Sequence, residues 1–415
     1  MNDNSVLASI ITIGDELLIG QTIDTNSAWM ATELNKVGIH VKRRVAVGDV
    51  WDEIWQTLKE EGKQAPIVLI TGGLGPTSDD ITKPLLCQFF EGELVVDKQA
   101  LENVKNIFEN LLKRPLLERN LKQAEVPSTC QVIQNKRGTA PGMWFEKNGT
   151  IYISMPGVPN EMKGMMTDYV IPAFKRQFKL VPIQHRTLLT AGIGESFLAD
   201  LLIRFEENLP SSIKLAYLPN YGMVRLRLSC QNPLVTIEEL NGLFSNLTEI
   251  VKDYLVIDED LSLQETISRT LIQQNKTLAI AESCTGGYIS HLITAIPGSS
   301  MFFKGSIISY SNEAKIDTLD VPAEILAQFG AVSLETVERM AEGVRLKMKT
   351  DFALATSGIM GPGGGTDTKP VGFVCIAFSS ASKTESTTLQ FRFDRQRNIE
   401  LTAAHSLNFL RKNMG

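Results

Sequence analysis

The chain has 415 residues, 43% apolar and 21% charged. That is enough apolar content for cores in about three domains, and it excludes a mainly disordered state. Lys and Arg total 41 against 47 Asp and Glu, a net charge of −6, which disfavours non-specific binding to nucleic acid or a membrane surface.

The opening run SVLASIITI reads as a core strand, because no basic segment precedes it and Gly14 and Asp15 end it after a strand's length. No stretch approaches the 18 apolar residues of a membrane span, and the reducing cytoplasm is the expected compartment. Five scattered Cys and four scattered His, without a CxxC pair, point away from a disulfide framework or structural zinc. Any metal is expected to be hard and held by carboxylates.

The first 178 residues alternate strand and helix. TNSAWMATELNKVG is a helix, HVKRRVAV a strand, WDEIWQTLKEEG a helix and PIVLIT a strand. βαβ units of this length predict a mostly parallel sheet. A hairpin is expected at Asn148-Gly149, then the strand TIYISM, PGVPNEM and a helical run to about residue 178. IVLI runs into TGGLGPTSDDIT. Ligands of open α/β sheets bind beyond the strand carboxyl ends, and glycines there let a phosphate approach backbone N–H groups. Thr71, Gly72, Gly73, Gly75 and Thr77 are therefore candidate phosphate-binding residues. Asp79 and Asp80 would repel a bare phosphate, so a divalent cation is expected between them. Asp15, Glu16 and Asp49 follow other strands and are further candidate metal ligands, as is Glu161; each has helix capping as its ordinary alternative. Gly138 to Gly142 form another permissive loop.

Residues 179–257 read as a small α+β unit of βαββα order: RTLLTAGI, ESFLADLLIRFEENL, KLAYLP, MVRLRLSC and TIEELNGLFSNLTEIVKDYL. The order resembles an RNA-binding KH module, but the GXXG loop is missing and Gly192-Ile193-Gly194 is its nearest match. A spacer or dimerisation role is expected in place of nucleic-acid binding.

Residues 258–415 form a second α/β domain. Strand TLAIA leads to Glu282-Ser283-Cys284-Thr285-Gly286-Gly287 before a helix. A hydroxyl there, with the Gly286 and Gly287 amides facing developing charge, suits acyl transfer. Lys315, in SYSNEAK after another strand, is the leading base, because a lysine serves when burial lowers its pKa. Cys284 is the rival nucleophile, since a helix N-terminus lowers a thiol pKa. Ser283 as a cap, Cys284 as an inert core thiol and Lys315 as a solvated charge are the ordinary alternatives. Ser357 is a further donor, Gly361 to Gly365 a loop over the substrate, and Arg395 and Arg397 a phosphate clamp at a helix expected from Asn398.

The stretches IGDELLIGQTIDTN, VGDV, TGGLGPTSDD, GTAPG, MPGVPNEM, AGIGES, AESCTGG, YSNEAK, SGIMGPGGG and KPVG, in this order, resemble the CinA (competence/damage-inducible) family over nearly the whole chain. The resemblance implies an N-terminal molybdopterin-binding-like α/β domain, a small KH-like α+β domain and a C-terminal α/β deamidase domain. It implies metal-dependent (Mg, Mn or Co) hydrolysis of ADP-ribose in front. Behind, it implies deamidation of nicotinamide mononucleotide (NMN) without a cofactor. Ser283 would be nucleophile, Lys315 base, Tyr310 a site residue, Ser357 a pocket donor and Arg395 or Arg397 a phosphate contact. A homodimer is expected from the family, and neither nucleic acid nor a membrane as partner. FRFDRQRN and Asn160 depart from common family patterns. Two other readings stay open: a front domain that binds a pterin or nucleotide without turnover, and a competence-linked adaptor without catalysis.

Overall fold

The computed structural model describes residues 6–77, 80–230 and 235–414. The chain divides into two compact units that meet between Ile183 and Gln184. The break lies slightly beyond the expected 178. Residues 179–183 stay with the front unit because Val181 packs on the chain at Gly38, where an added Cβ would stand 2.2 Å from the Val181 carbonyl oxygen.

In the front unit the strands are β1 (Val6–Ile13), β2 (Ile39–Val47), β3 (Ile67–Thr71), β4 (Leu94–Val96), β5 (Glu125–Pro127), β6 (Gln131–Ile133), β7 (Gly142–Lys147) and β8 (Thr150–Met155). Six form one sheet in the order β2-β1-β3-β8-β7-β6. Its first four strands are parallel, β7 runs antiparallel to β8, and β6 runs antiparallel to β7. Strand alternation sends successive side chains to opposite faces, and both faces are covered. Ala8, Ile10, Ile67 and Leu69 pack under Met30 and Leu34 of helix Thr25–Lys36. Ile11, Ile13, Val68 and Ile70 pack under Ile54 and Leu58 of helix Trp51–Gln64. The expected hairpin is present, with Asn148 at φ 52° and Gly149 at φ 79°, the two positive values a tight hairpin turn requires.

In the second unit, β9 (Gln184–Ala191), β10 (Ile213–Asn220), β11 (Met223–Cys230) and β12 (Leu255–Ile257) form an antiparallel sheet ordered β10-β11-β9-β12. Helices Glu195–Glu207 and Ile237–Ile250 cover it through Leu198, Leu202, Leu240 and Leu247. Next come β13 (Leu278–Glu282), β14 (Phe303–Ile308), β15 (Phe352–Gly358), β16 (Phe373–Ser379) and β17 (Thr384–Gln390), ordered β14-β13-β15-β16-β17. One face of this sheet carries Ala279, Ala281, Ala353, Ala355 and Ala377 beneath helix Leu334–Met348. Small side chains there let the helix lie close. The other face carries Leu278, Ile280, Leu354 and Phe378 beneath helices Leu263–Gln273 and Arg395–Asn413.

One local expectation changes. The last helix begins at Arg395, capped by the Asp394 carboxylate on the Arg397 N–H, because an Asp cap outranks the apolar pattern that suggested Asn398. SYSNEAK is a helix start, with Ser311 capping Asn312–Leu319. Among the described residues no helix is long and apolar enough to cross a membrane.

Candidate active sites

The rear site forms where β13 and β14 end. β13 delivers Glu282 and Ser283, and β14 leads to Ser309 and Tyr310. The following helix carries Lys315 on its first turns, so its side chain reaches back along the helix toward the strand ends. Lys315 Nζ lies 3.0 Å from Ser283 Oγ, 2.8 Å from the Ser309 carbonyl oxygen and 3.4 Å from that of Tyr310. Lys315 is 1% exposed. Burial pushes its pKa below the ordinary lysine value, with the charge of Cys284 opposing. Among the described residues no carboxylate pairs with it. A neutral amine has two N–H donors and one lone pair. The Ser311 carbonyl oxygen lies farther off at 3.5 Å; in the neutral form, with the Ser309 and Tyr310 carbonyls taking the two donors, the lone pair would face the Ser283 hydroxyl.

Cys284 takes its ordinary alternative, that of a core thiol. Burial pushes its thiol up to about 12, and the Glu282 charge adds to this. A hydrogen bond with Thr356, the thiol's own backbone N–H and the Lys315 charge do not offset it. The side chain belongs to an apolar cluster with Met360, Val374 and Phe391. Desolvation outweighs the helix terminus, and the thiolate is disfavoured.

The structure spends several expected donors elsewhere. The Gly287 N–H donates to Glu282 Oε2 (2.9 Å), and the Gly286 N–H to the Ser283 carbonyl oxygen (3.2 Å). Glu282, fully buried, also accepts from the N–H groups of Ile289 and Ser290 and from the Ser290 hydroxyl. Its carboxylate thus takes the anion position at this helix start. The Gly286 and Gly287 N–H groups are therefore engaged within the turn, whereas among the described residues the N–H groups of Cys284 and Thr285 have no backbone oxygen acceptor. Ser357 Oγ donates to the Ala331 carbonyl oxygen at 2.7 Å and is 1% exposed, so it braces a loop. Glu282→Ala leaves three helix N–H groups without their buried acceptor. It is expected to destabilise the second unit by about 3 kcal/mol, read as a lower denaturant midpoint.

The two arginines separate. Arg395 donates to the Gly361 carbonyl oxygen (2.7 Å) and to the Tyr310 hydroxyl (3.1 Å). Both partners are neutral, and among the described residues no carboxylate forms an ion pair with it. Arg397 lies over the Phe393 ring, 4.7 Å from its centroid. Two residues apart on a helix means about 200° of rotation, so one arginine reaches Tyr310 and the other does not.

The front site is a cavity of about 440 Å³ lined by Glu16, Asp49, Gly72, Gly73, Gly75, Asp80, Gly157 and Glu161, among others. Gly72 (φ 114°) comes so close to β1 that a Cβ would stand 2.1 Å from the Ile13 carbonyl oxygen. Gly72→Ala is expected to cost at least ~2 kcal/mol of front-unit stability, read by denaturant melts, and to abolish ligand binding there. Thr71 is buried, and its hydroxyl donates to the Pro156 carbonyl oxygen (2.8 Å), so it joins β3 to β8 and is not a free donor. Asp80 accepts from the N–H groups of Gly75 (2.8 Å) and Thr77 (2.9 Å) and from the Thr77 hydroxyl. It therefore shapes the glycine loop, and both of its oxygens are engaged. Asp79 lies outside the described residues.

Asp15 and Asp49 bind each other's backbone, Asp15 N–H to Asp49 (3.2 Å) and Asp49 N–H to Asp15 (3.1 Å). The Asp49 pKa is raised, first by burial and then by the charges of Asp15, Glu16 and Asp80, against the Asp15 N–H. Acidic groups converging on one cavity with oxygen donors alone fit a hard divalent cation. Among the described residues no group of three or more His, Cys, Asp or Glu could hold an ion unaided. The arrangement fits a cation held by one or two carboxylates and completed by substrate phosphate, as Mg²⁺ commonly is.

Three front residues escaped the sequence reading. Lys83 donates to the Lys122 (3.3 Å) and Gln123 (3.0 Å) carbonyl oxygens. Burial brings its pKa down to about 8 against the charges of Glu125, Asp80 and Cys130. Its place in the first turn of helix Thr82–Phe89, after the glycine loop, was the available signal. Asn135 donates to Glu161 Oε2 (2.6 Å) and to the Ala140 carbonyl oxygen (2.9 Å), so it fixes the loop over the cavity. Asn26 is the third, and its Nδ2 donates to the Gly157 carbonyl oxygen (2.7 Å) and to Thr71 Oγ1 (3.2 Å).

Three family models match the chain: "Probable molybdopterin binding domain" over residues 9–176, "Damage-inducible protein CinA KH domain" over 185–256, and "CinA C-terminal domain" over 260–414. A CinA-like protein of Cytophaga hutchinsonii is 46% identical over 414 residues, covering 99% of this chain and 98% of its own length. A CinA-like protein of Flavobacterium psychrophilum is 43% identical over 408 residues, covering 98% of each. The crystal structure of a competence damage-inducible protein A from Klebsiella pneumoniae matches 37% of this chain and 94% of its own, with 33% identity and a TM-score of 0.36.

Proposed function

The chain belongs to the CinA family, and from that premise we propose that it is a two-site hydrolase of pyridine-nucleotide salvage. The rear site deamidates NMN to nicotinic acid mononucleotide and ammonia. The observation that carries this is the buried, carboxylate-free lysine 3.0 Å from the Ser283 hydroxyl.

Lys315, neutral, accepts the Ser283 proton as Oγ attacks the carboxamide carbon. The tetrahedral oxyanion is met by the N–H groups of Cys284 and Thr285. As the C–N bond breaks, Lys315 returns the proton to the leaving nitrogen and ammonia departs. Water, deprotonated by the same amine, then attacks the acyl-enzyme, releasing the acid and restoring Ser283. Arg395, oriented by Gly361 and Tyr310, holds the substrate phosphate at the rim. Ammonia release from NMN by the full chain is the test. Its absence under all divalent-metal and pH conditions tried would sink the reading.

The front site hydrolyses ADP-ribose. Gly72, Gly73 and Gly75 present backbone to the pyrophosphate, and Asp80 holds their loop in shape. Asp49 and Glu16 would hold a divalent cation, which when bound would offset the pyrophosphate charge and lower the pKa of a water. AMP formation from ADP-ribose, lost on chelation, tests this. The engagement of both Asp80 oxygens favours a second reading, a nucleotide-binding module without turnover. That reading predicts ADP-ribose binding that survives chelation, with no AMP.

A further inference from the structure

The second unit holds a cavity of about 230 Å³ between its antiparallel sheet and three helices. Leu189, Leu218 and Arg225 are paired directly across β9, β10 and β11, so they share one face of that sheet. It is the face opposite Leu188 and Leu226, which pack under the sheet's own helices. Across the cavity stand Leu263 of helix Leu263–Gln273, Tyr288 and Leu292 of helix Tyr288–Thr294, and Glu400 of helix Arg395–Asn413. None of Ser283, Lys315, Tyr310 and Arg395 lines it.

Tyr221 closes the cavity at the β10–β11 turn. Asn220 pairs with Met223, so Tyr221 and Gly222 are the two central residues of the hairpin, with φ 44° and 75°. Such turns favour Asn, Asp or Gly at both places. Gly222 has its reason, since a Cβ there would stand 2.7 Å from His405 Nε2. A tyrosine in the left-handed region is disfavoured by its backbone, and what it contributes is its side chain. The ring lines the cavity, and the hydroxyl hydrogen-bonds to the Glu400 carboxylate. Glu400 also accepts from Gln396 Nε2 (2.8 Å), and among the described residues no Lys or Arg forms an ion pair with it. Its charge is felt at the second ring as well: the Tyr288 pKa is raised first by burial and then by Glu400. The cation on the sheet side, Arg225, is paired with Asp260 and donates to the Leu261 carbonyl oxygen (3.1 Å). Arg397 has a minor opposing influence on Tyr221 and does not line the cavity.

We propose that this cavity is a further small-molecule site of the second unit and takes a flat aromatic cation. The leucine walls receive the apolar body of such a ligand. The Tyr221 and Tyr288 rings attract its delocalised positive charge, and Glu400 supplies the counter-charge at close range. An anion finds no free cation among the lining residues, because Arg225 is already engaged. The proposal is independent of both catalytic readings, since it uses none of their residues.

The test is equilibrium binding to the full chain of two probes in slightly alkaline buffer: the cation 1-methylquinolinium and its uncharged counterpart 4-methylquinoline. The expected result is saturable binding of the cation, at least about 10-fold tighter than that of the neutral ring. Glu400→Gln should bring the two affinities together. Tyr221→Asn installs a residue that the turn favours, so the melting temperature should hold or rise while the cation binds at least about 10-fold more weakly. A tyrosine kept there only for the fold would give the reverse, a lower melting temperature with binding unchanged. Equal affinities for the two probes in the wild-type chain would overturn the proposal, as would no binding of either, or binding that neither substitution alters.

Discussion

Ser283→Ala is expected to lower ammonia release from NMN by about 10³-fold or more, with the melting temperature nearly unchanged. The hydroxyl stands 3.0 Å from a buried amine, and under the proposed mechanism its removal takes away the bond-forming atom and not merely an orienting contact. Cys284→Ala serves as the control in the same assay. The thiol is buried in an apolar cluster with its pKa pushed up to about 12, so its loss is expected to cost stability through a small cavity and to leave turnover within a few-fold. If Cys284→Ala were inactive and Ser283→Ala active, the assignment would be reversed.

The second large effect belongs to Lys315. Lys315→Met keeps the apolar stem and removes the base, so kcat is expected to drop by about 10³-fold. Lys315→Arg is expected to be equally inactive, because a guanidinium stays protonated and cannot accept the serine proton. The pH dependence follows from the direction of the shift. Only the free amine is competent, so kcat/KM should rise with pH and level off above the lowered Lys315 pKa. Between that value and the ordinary lysine range the unfolded chain binds a proton that the folded chain does not. Stability from this group therefore increases with pH across the same window. A profile unchanged in Lys315→Met, measured on its residual activity, would remove Lys315 from the mechanism.

How far the site could be read in advance depended on the type of contact. Ser283 and Lys315 stand at strand ends beside short polar motifs, and strand ends are where α/β sheets place their chemistry. The front glycine loop was legible for the same reason, as was the βαβ order of both α/β domains. The oxyanion donors were not. Which N–H is available depends on the Glu282 side chain folding onto the helix start, and no spacing rule tells that from a Glu left in solvent. Arg395 and Arg397 could not be told apart because their helix was expected to start three residues late. Once Asp394 is the cap, helix phase separates them. Asn26, at the end of IGDELLIGQTIDTN, read as no more than a helix cap. Its importance comes from Thr71 and Gly157, which lie 45 and 131 positions away in the chain. The bare count of carboxylates near the glycine loop also misled, since Asp80 is engaged by its own loop.

Lysine NMR on the full chain, with the side-chain ε-carbons labelled and Lys315→Met used to assign the signal, reads the protonation of this amine directly. The account predicts an ε-carbon resonance that titrates below those of the surface lysines, is distinct from that of buried Lys83 and vanishes in Lys315→Met. A Lys315 signal that titrates together with the surface lysines would mean a charged amine at neutral pH, and would contradict its role as the base for Ser283.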